Sequence, residues 1–503
     1  MTLRLTASAA TLAAVALTAT ACSAGAGSDS SAEDEARTDM VVAHTAEPAN
    51  LDFTTTGGAA IPQALMENVY ESLVRIDQDG ELQPALAESW DISEDRATYT
   101  FHLQDGVTFS NGDELTSSDV KFSYDRVNSD AWTNGLKAKM AVIDEITTPD
   151  DQTVEITLSD PSNVWLYDLA SAVGAVFSED AVSDLANEAV GTGPYEVSSF
   201  TRGQEIVYSA RDDYWGEAPK LETVTFKYYK DPVAAVNAVK SGEVDVLASL
   251  QAPELAGDFE SPDEYQVVEG TTNGEVVLSM NNAEGVFSDQ KAREAVLYAI
   301  DEQAIIDTAW GGYGTLIGGM VPPTSPYYED LTDVFPHDLD KAKELVSEAG
   351  IEGESINFTV PNLPYATASA EIVASQLEAA GLKATIETQE FPAVWLEKTF
   401  TNHEYDMSII NHVEANDMLT VFGPDYYTGY DYSHIEDAVK KADTGSEEEY
   451  ISGMKDVART ITEDAAAGFL FLFPNLIVAD AQVDGLPENF VSDAFPIATL
   501  SWK

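Results

Sequence analysis

Only one cysteine, Cys22, occurs in a chain of 503 residues, so no internal disulfide can staple the fold and stability must come from buried apolar surface. Hydrophobic residues make up 44% of the sequence, and about 465 residues follow the polar stretch ending at Thr38, more than one hydrophobic core usually serves. Two or three lobes are therefore expected. No repeat of about 20–50 residues is visible, which sets solenoids and propellers aside. Strand and helix signals alternate instead, and that order predicts a mixed α/β architecture.

The cysteine closes an N-terminal leader in which Arg4 is the only charge, residues 12–17 are apolar and residues 18–21 are small. Ala19-Thr20-Ala21-Cys22 resembles a bacterial lipobox, with Ala19 where leucine is usual. The resemblance implies a signal peptide over 1–21, cleaved before Cys22, and lipidation of the Cys22 thiol, which anchors the protein on the extracytoplasmic face of the cell membrane. Residues 22–38 contain no aromatic and no aliphatic side chain larger than alanine. They bury too little to fold and are expected to be a disordered tether. No later segment approaches the ~20 apolar residues of a membrane span, so the body is expected to be tethered rather than inserted.

Asp and Glu number 88 against 25 Lys and Arg, a formal net charge of −63, and loss of the leader removes Arg4 and no acid. A chain this acidic lacks the basic stripes that phosphate backbones require, which excludes nucleic acid as a partner. The acids are scattered, as on a surface kept soluble by charge. No G-x-S-x-G, H-E-x-x-H, P-loop or G-x-G-x-x-G sequence occurs. The run Asp77-Gln78-Asp79-Gly80 has the wrong frame for calcium, with Arg75 and Leu86 where carboxylates are needed, and is read as a hairpin turn. Six histidines show no ligand spacing, so neither a metal nor a cofactor is expected, and no pair among the many carboxylates stands out as an acid/base couple.

Local patterns set several elements. Residues 98–109 alternate and carry Asp105-Gly106, which predicts a hairpin. Asn111-Gly112 marks a second turn, and Thr116 with Asp119 has the form of a capping box ahead of a helix bearing Val120, Tyr124 and Val127. His102 falls on the outward side of the hairpin. Apolar stripes predict helices over 289–300, over 340–349 with Gly350 at the left-handed C-terminal position, and over 371–380 stopped by Gly381, leading to a strand at 384–388.

Four segments carry a wider resemblance: AEPANLD (46–52), PALAESWDISEDRATYTFHLQDGVTFSNGDELTSSDVKFSYDRV (84–127), GTGPYEV with RDDYWG (191–216), and DQKAREAVLYAIDEQAII (289–306). Together they resemble the family 5 extracytoplasmic solute-binding proteins, the peptide and nickel binding components of ABC importers. The resemblance implies a two-lobed periplasmic-binding-protein type II fold with an additional domain. Lobe I would comprise 39–62, 187–270 and 472–503, the extra domain 63–186, and lobe II 271–471. The chain crossings near 270 and 472 would be the hinge, with Gly270 and Gly274 as its flexible positions.

The function implied is capture of a small ligand between the lobes and delivery to permease subunits, by a monomer without enzymatic activity. Peptide, oligosaccharide, opine and metal chelate are the candidate cargoes, peptide first. In peptide-binding relatives a carboxylate after a lobe II strand pairs with the ligand's α-amino group. Glu414 falls at that place, with Asp417 as its competitor and Asn411 where an aromatic is common. Trp395, Tyr426 and Tyr427 are the aromatics expected nearest the cleft. A secreted hydrolase of peptides or glycans and a structural envelope lipoprotein are the rival readings.

Overall fold

The structure, a computed structural model, describes residues 37–414 and 416–503. The leader, Cys22 and nearly all of the expected tether lie outside the described residues. From Thr38 to Lys503 the chain forms one compact unit. Among the described residues, no helix is long and apolar enough to cross a membrane.

Two long neighbouring strands, Tyr265–Met280 and Ala467–Asp480, organise the molecule. They pair antiparallel at the centre of a ten-stranded sheet. On one side the sheet continues through Met407–His412, Ser355–Pro361 and Lys383–Gln389. On the other it continues through Val246–Leu247, Asp39–His44, Thr223–Tyr228, Glu205–Ala210 and Tyr195–Thr201. Ala467–Asp480 is buried along nearly its whole length, as its run AGFLFLFPNLIVA, apolar but for Asn475, requires of a strand covered on both faces. The pairing slips between Thr271 and Glu275. That irregularity lies where the two halves of the sheet meet.

A separate four-stranded antiparallel sheet orders Ala87–Ile92, Thr98–Leu103, Thr153–Leu158 and Ile143–Asp150. The predicted hairpin over 98–109 does not form. Thr98–Leu103 pairs with its two sheet neighbours, whereas Phe109 and Leu115 bond to Asp113 and Val107 across a local turn at Asn111-Gly112. Alternation marks a strand but does not choose its partner. His102 is exposed as expected and meets Asp91 at 3.1 Å. The Asp77 to Gly80 turn joins Val74–Ile76 to Leu82–Pro84.

Most helix boundaries follow the sequence signals. The Thr116/Asp119 capping box is present, Asp289 caps Gln290–Ala299 by accepting from the Lys291 N–H, and Gly350 and Gly381 end their helices at φ of 68° and 96°. The helix expected over 371–380 begins earlier, as Pro364–Ala380. Pro364 sits in its first turn, where a missing N–H costs nothing, and the small residues Ala366, Ser369 and Ala370 line its buried side.

The family-like segments are scaffold. In L-x-x-G-V-x-F-x-x-G, Leu103, Val107 and Phe109 enter a core that runs from Met40 to Leu500, while Gly106 and Gly112 take φ of 74° and 90°. Gly191 and Gly193 allow close backbone passage: a Cβ on Gly191 would lie 1.9 Å from the Val69 carbonyl oxygen. Arg211 is buried and donates to the carbonyls of Gly191, Gly193 and Thr108. Tyr214 Oη and Trp215 Nε1 donate to the two oxygens of Glu71 at 2.9 and 3.0 Å.

Candidate functional site

A cavity of about 440 Å³ opens at the strand irregularity, where Thr272, Asn273 and Gly274 face Phe473, Pro474 and Asn475. Its walls come from both halves of the large sheet and from the chain around the small sheet. His44 to Ala46 and the C-terminal loop with Ser492 and Asp493 form one wall; Asn411, Glu414 and Asn416 form another; Lys139 and Asp168 form a third. Of the four family-like segments, only Ala46 reaches the wall.

The segment leading into Val164–Leu169, the helix that carries Asp168, is tied to a distant helix. The last residue of the helix Glu436–Asp443 uses one carboxylate oxygen to accept from Ser162 Oγ, the Asn163 N–H and the Val164 N–H at 3.0, 2.8 and 3.0 Å. Asn163 Nδ2 returns two bonds to the carbonyls of Asp443 and Gly445 at 2.7 and 3.0 Å. Nearby the backbone at Gly80 passes so close to Thr324 that a Cβ would sit 2.2 Å from its carbonyl oxygen.

Gly270 and Gly274, the two glycines expected at the hinge, both lie inside Tyr265–Met280, and space rather than backbone conformation demands them. A Cβ on Gly270 would meet the Glu488 carbonyl oxygen at 1.8 Å, and one on Gly274 would meet Asn411 Oδ1 at 2.9 Å. The segment between them is pinned by Asn489 Oδ1, which accepts from the Thr271 N–H at 2.9 Å, and by Asn273 Nδ2, which donates to the Val491 carbonyl at 2.8 Å.

Glu414 and Asn411 line the cavity; Asp417, Trp395, Tyr426 and Tyr427 do not. Glu414 is exposed to the cavity. Asp417 is buried behind that wall beside Glu275, which is 2% exposed and has an Oε2 without a hydrogen-bond partner. Burial first, and then neighbouring negative charge, pushes both carboxyls well above the usual range. Ionising both carboxyls at once is disfavoured by that burial and by their mutual repulsion.

The expectation that Trp395, Tyr426 and Tyr427 face the cleft is corrected. Trp395 and Tyr427 are 3% and 1% exposed and pack with Tyr405 and Ile410, and Tyr426 packs against the same cluster. Trp395 Nε1 donates to Ser408 Oγ at 3.1 Å, and Tyr427 Oη shares a 2.6 Å bond with Ser279 Oγ. Both polar tips are satisfied inside the protein, so these rings serve packing.

Four wall residues were not legible in the sequence. Lys139 in Gly135–Met140 and Asp168 in Val164–Leu169 form an ion pair at 3.2 Å. Burial pulls the Lys139 pKa down, but Asp168, Glu414 and Asp493 outweigh it and hold the ammonium above its ordinary value. Burial raises the Asp168 carboxyl against the pull of Lys139. Asp493 accepts the Ala172 N–H at 2.9 Å. Burial holds the His44 imidazole down at about 3, hence neutral, with Nε2 unpartnered at the cavity. Residues 29 or more positions apart carry no local signal of meeting.

The profile of the bacterial extracellular solute-binding proteins, family 5 Middle, matches residues 81–433. This chain belongs to that family. Among curated relatives it is 29% identical over 344 residues to the dipeptide-binding protein of Escherichia coli K12, spanning 62% of this chain and 64% of that one. It is 26% identical over 466 residues to di/tripeptide-binding protein 1 of Pseudomonas aeruginosa, spanning 82% and 85%. Among solved structures it superposes on the periplasmic binding protein AgaA of A. tumefaciens R10, in complex with agropinic acid, with TM-score 0.77 and 25% identity over 92% of this chain and 99% of that one. The substrate-binding protein CtaP of Listeria monocytogenes shares the fold with TM-score 0.83, at 20% identity, over 93% and 100%. The family's type II periplasmic-binding-protein fold with an additional domain is the fold of this chain. Among the described residues, no group of three or more His, Cys, Asp or Glu side chains is placed to hold a metal ion.

Proposed function

We propose that the protein is the extracytoplasmic binding component of an ABC importer, capturing a small solute with a free amino group between two lobes and presenting it to permease subunits. The cavity at the crossing of the two long strands carries this reading. It is walled from both sides by different parts of the chain, so a solute inside it touches both lobes and favours closure through those differential contacts. Its volume of about 440 Å³ is that of a small-molecule site. Glu414 supplies a carboxylate on the lobe II wall. The dipeptide and di/tripeptide names of the relatives make short peptides the first cargo class.

Native mass spectrometry of protein purified without refolding should retain a small molecule, and small-angle scattering should show a smaller radius of gyration with that molecule than without it. Asp443→Ala, which removes the side-chain ties to Ser162, Asn163 and Val164 at a residue that does not line the cavity, should enlarge the bound radius and speed release. Binding with an unchanged radius in both proteins argues for a rigid pocket and against capture by closure.

Lipidation of Cys22 would hold the complex near its permease at high local concentration. Cys22→Ala should release the protein into the medium with its thermal unfolding unchanged; retention in the membrane fraction refutes the anchor.

A further inference from the structure

Lys139 is the only Lys or Arg among the described residues lining the cavity, and its charge is already answered. Its Nζ lies 3.2 Å from Asp168 Oδ1, and the two side chains are only 23% and 16% exposed. They come from neighbouring elements of one region, Gly135–Met140 and Val164–Leu169, so the pair does not depend on closure to form. Two further carboxylates, Glu414 and Asp493, line the same cavity from other walls. Three negative charges thus stand against one positive charge, and the neutral His44 adds none.

A solute carboxylate entering this cavity would have to displace Asp168 from Lys139, or else remain unpaired among acids. A solute ammonium meets unmatched carboxylates without breaking any existing pair. In a site shielded from solvent these terms are larger than on an open surface.

We propose that Asp168 is a specificity-determining residue: by holding Lys139 it withholds that ammonium from solute carboxylates, and the cavity selects solutes of net positive charge over zwitterions and anions. The inference rests on the capture of an amine-bearing solute proposed above and names its charge class. A C-terminally blocked or basic short peptide, or an amine without a carboxylate, fits it.

Three related probes separate the charges: alanyl-phenylalanine, its near-isosteric C-terminal amide and its N-acetyl form, with net charges of about 0, +1 and −1 at pH 7. Titration calorimetry on the full chain should find the amide bound at least about tenfold more tightly than the free acid, with no binding of the acetylated form. In Asp168→Asn, Lys139 is released, and the preference for the amide over the free acid should fall at least about tenfold. If Asp168 serves only the local fold, both ligands weaken equally and the ratio is unchanged, which overturns its assigned role. Free acid bound as tightly as the amide by the unsubstituted protein overturns the charge selection and leaves the capture of amines standing. No binding of either overturns both.

Discussion

Glu414→Gln should weaken binding of an amine-bearing solute by about 2–5 kcal/mol, the range for removing one partner of a charge pair that becomes desolvated in a complex. The position combines three properties. Glu414 is on the cavity wall, it is exposed there, and among the described residues Lys139 is the only Lys or Arg lining that cavity, where Asp168 holds it. An ammonium that replaces water at Glu414 regains a full charge partner. Asp417→Asn should cost much less binding energy, because Asp417 lies behind the wall beside Glu275, where burial raises both carboxyls and disfavours their charged forms. Calorimetric titration of both variants decides the matter: a larger loss at Asp417 moves the anchor three residues along the chain, and negligible loss at both removes the ammonium contact from this loop.

A loss of about 3–5 kcal/mol in folding stability is expected for Arg211→Met, with little change in the denaturant dependence of the unfolding free energy. Arg211 is 6% exposed. Its guanidinium reaches the Gly193 carbonyl at 3.2 Å, the Thr108 carbonyl at 3.0 Å and the Gly191 carbonyl at 3.4 Å, thereby joining the 191–193 segment to the turn that follows Thr108. Methionine fills the volume but leaves the Gly193 and Thr108 carbonyls without the guanidinium donor, while the Gly191 carbonyl keeps the Ser110 N–H at 2.9 Å, and unpaired buried polar groups cost about 1–3 kcal/mol each. Asp213, whose side chain is 61% exposed, adds only a solvent-screened ion pair, so Asp213→Asn should change stability by less than about 1 kcal/mol. Equal losses in the two variants would place the stabilisation in the ion pair and not in the carbonyl contacts.

The same Arg211 shows why family recognition was possible before any site could be drawn. The segments that carry the resemblance are dense in residues with steric or capping duties: Gly106 and Gly112 at positive φ, Gly191 against a neighbouring backbone, Thr116 and Asp119 in a cap. Such duties are local, fall at set spacings and can be read in one dimension. The wall residues have no such spacing. Glu414 and Asn411 were reached only through the family's chain order, and that order also suggested Trp395 and Tyr427, whose rings turned into a core.

The sequence by itself determined the α/β alternation, the helix caps and stops at Asp289, Gly350 and Gly381, and the absence of a disulfide staple, because each depends on a residue and its near neighbours. Only the tertiary structure decided which strands pair with Thr98–Leu103, which side of the 411–417 loop faces the cavity, and that Lys139 meets Asp168. Those outcomes depend on how elements distant in sequence pack, and a side chain's charge or aromaticity is the same whether packing turns it toward a ligand or into the core.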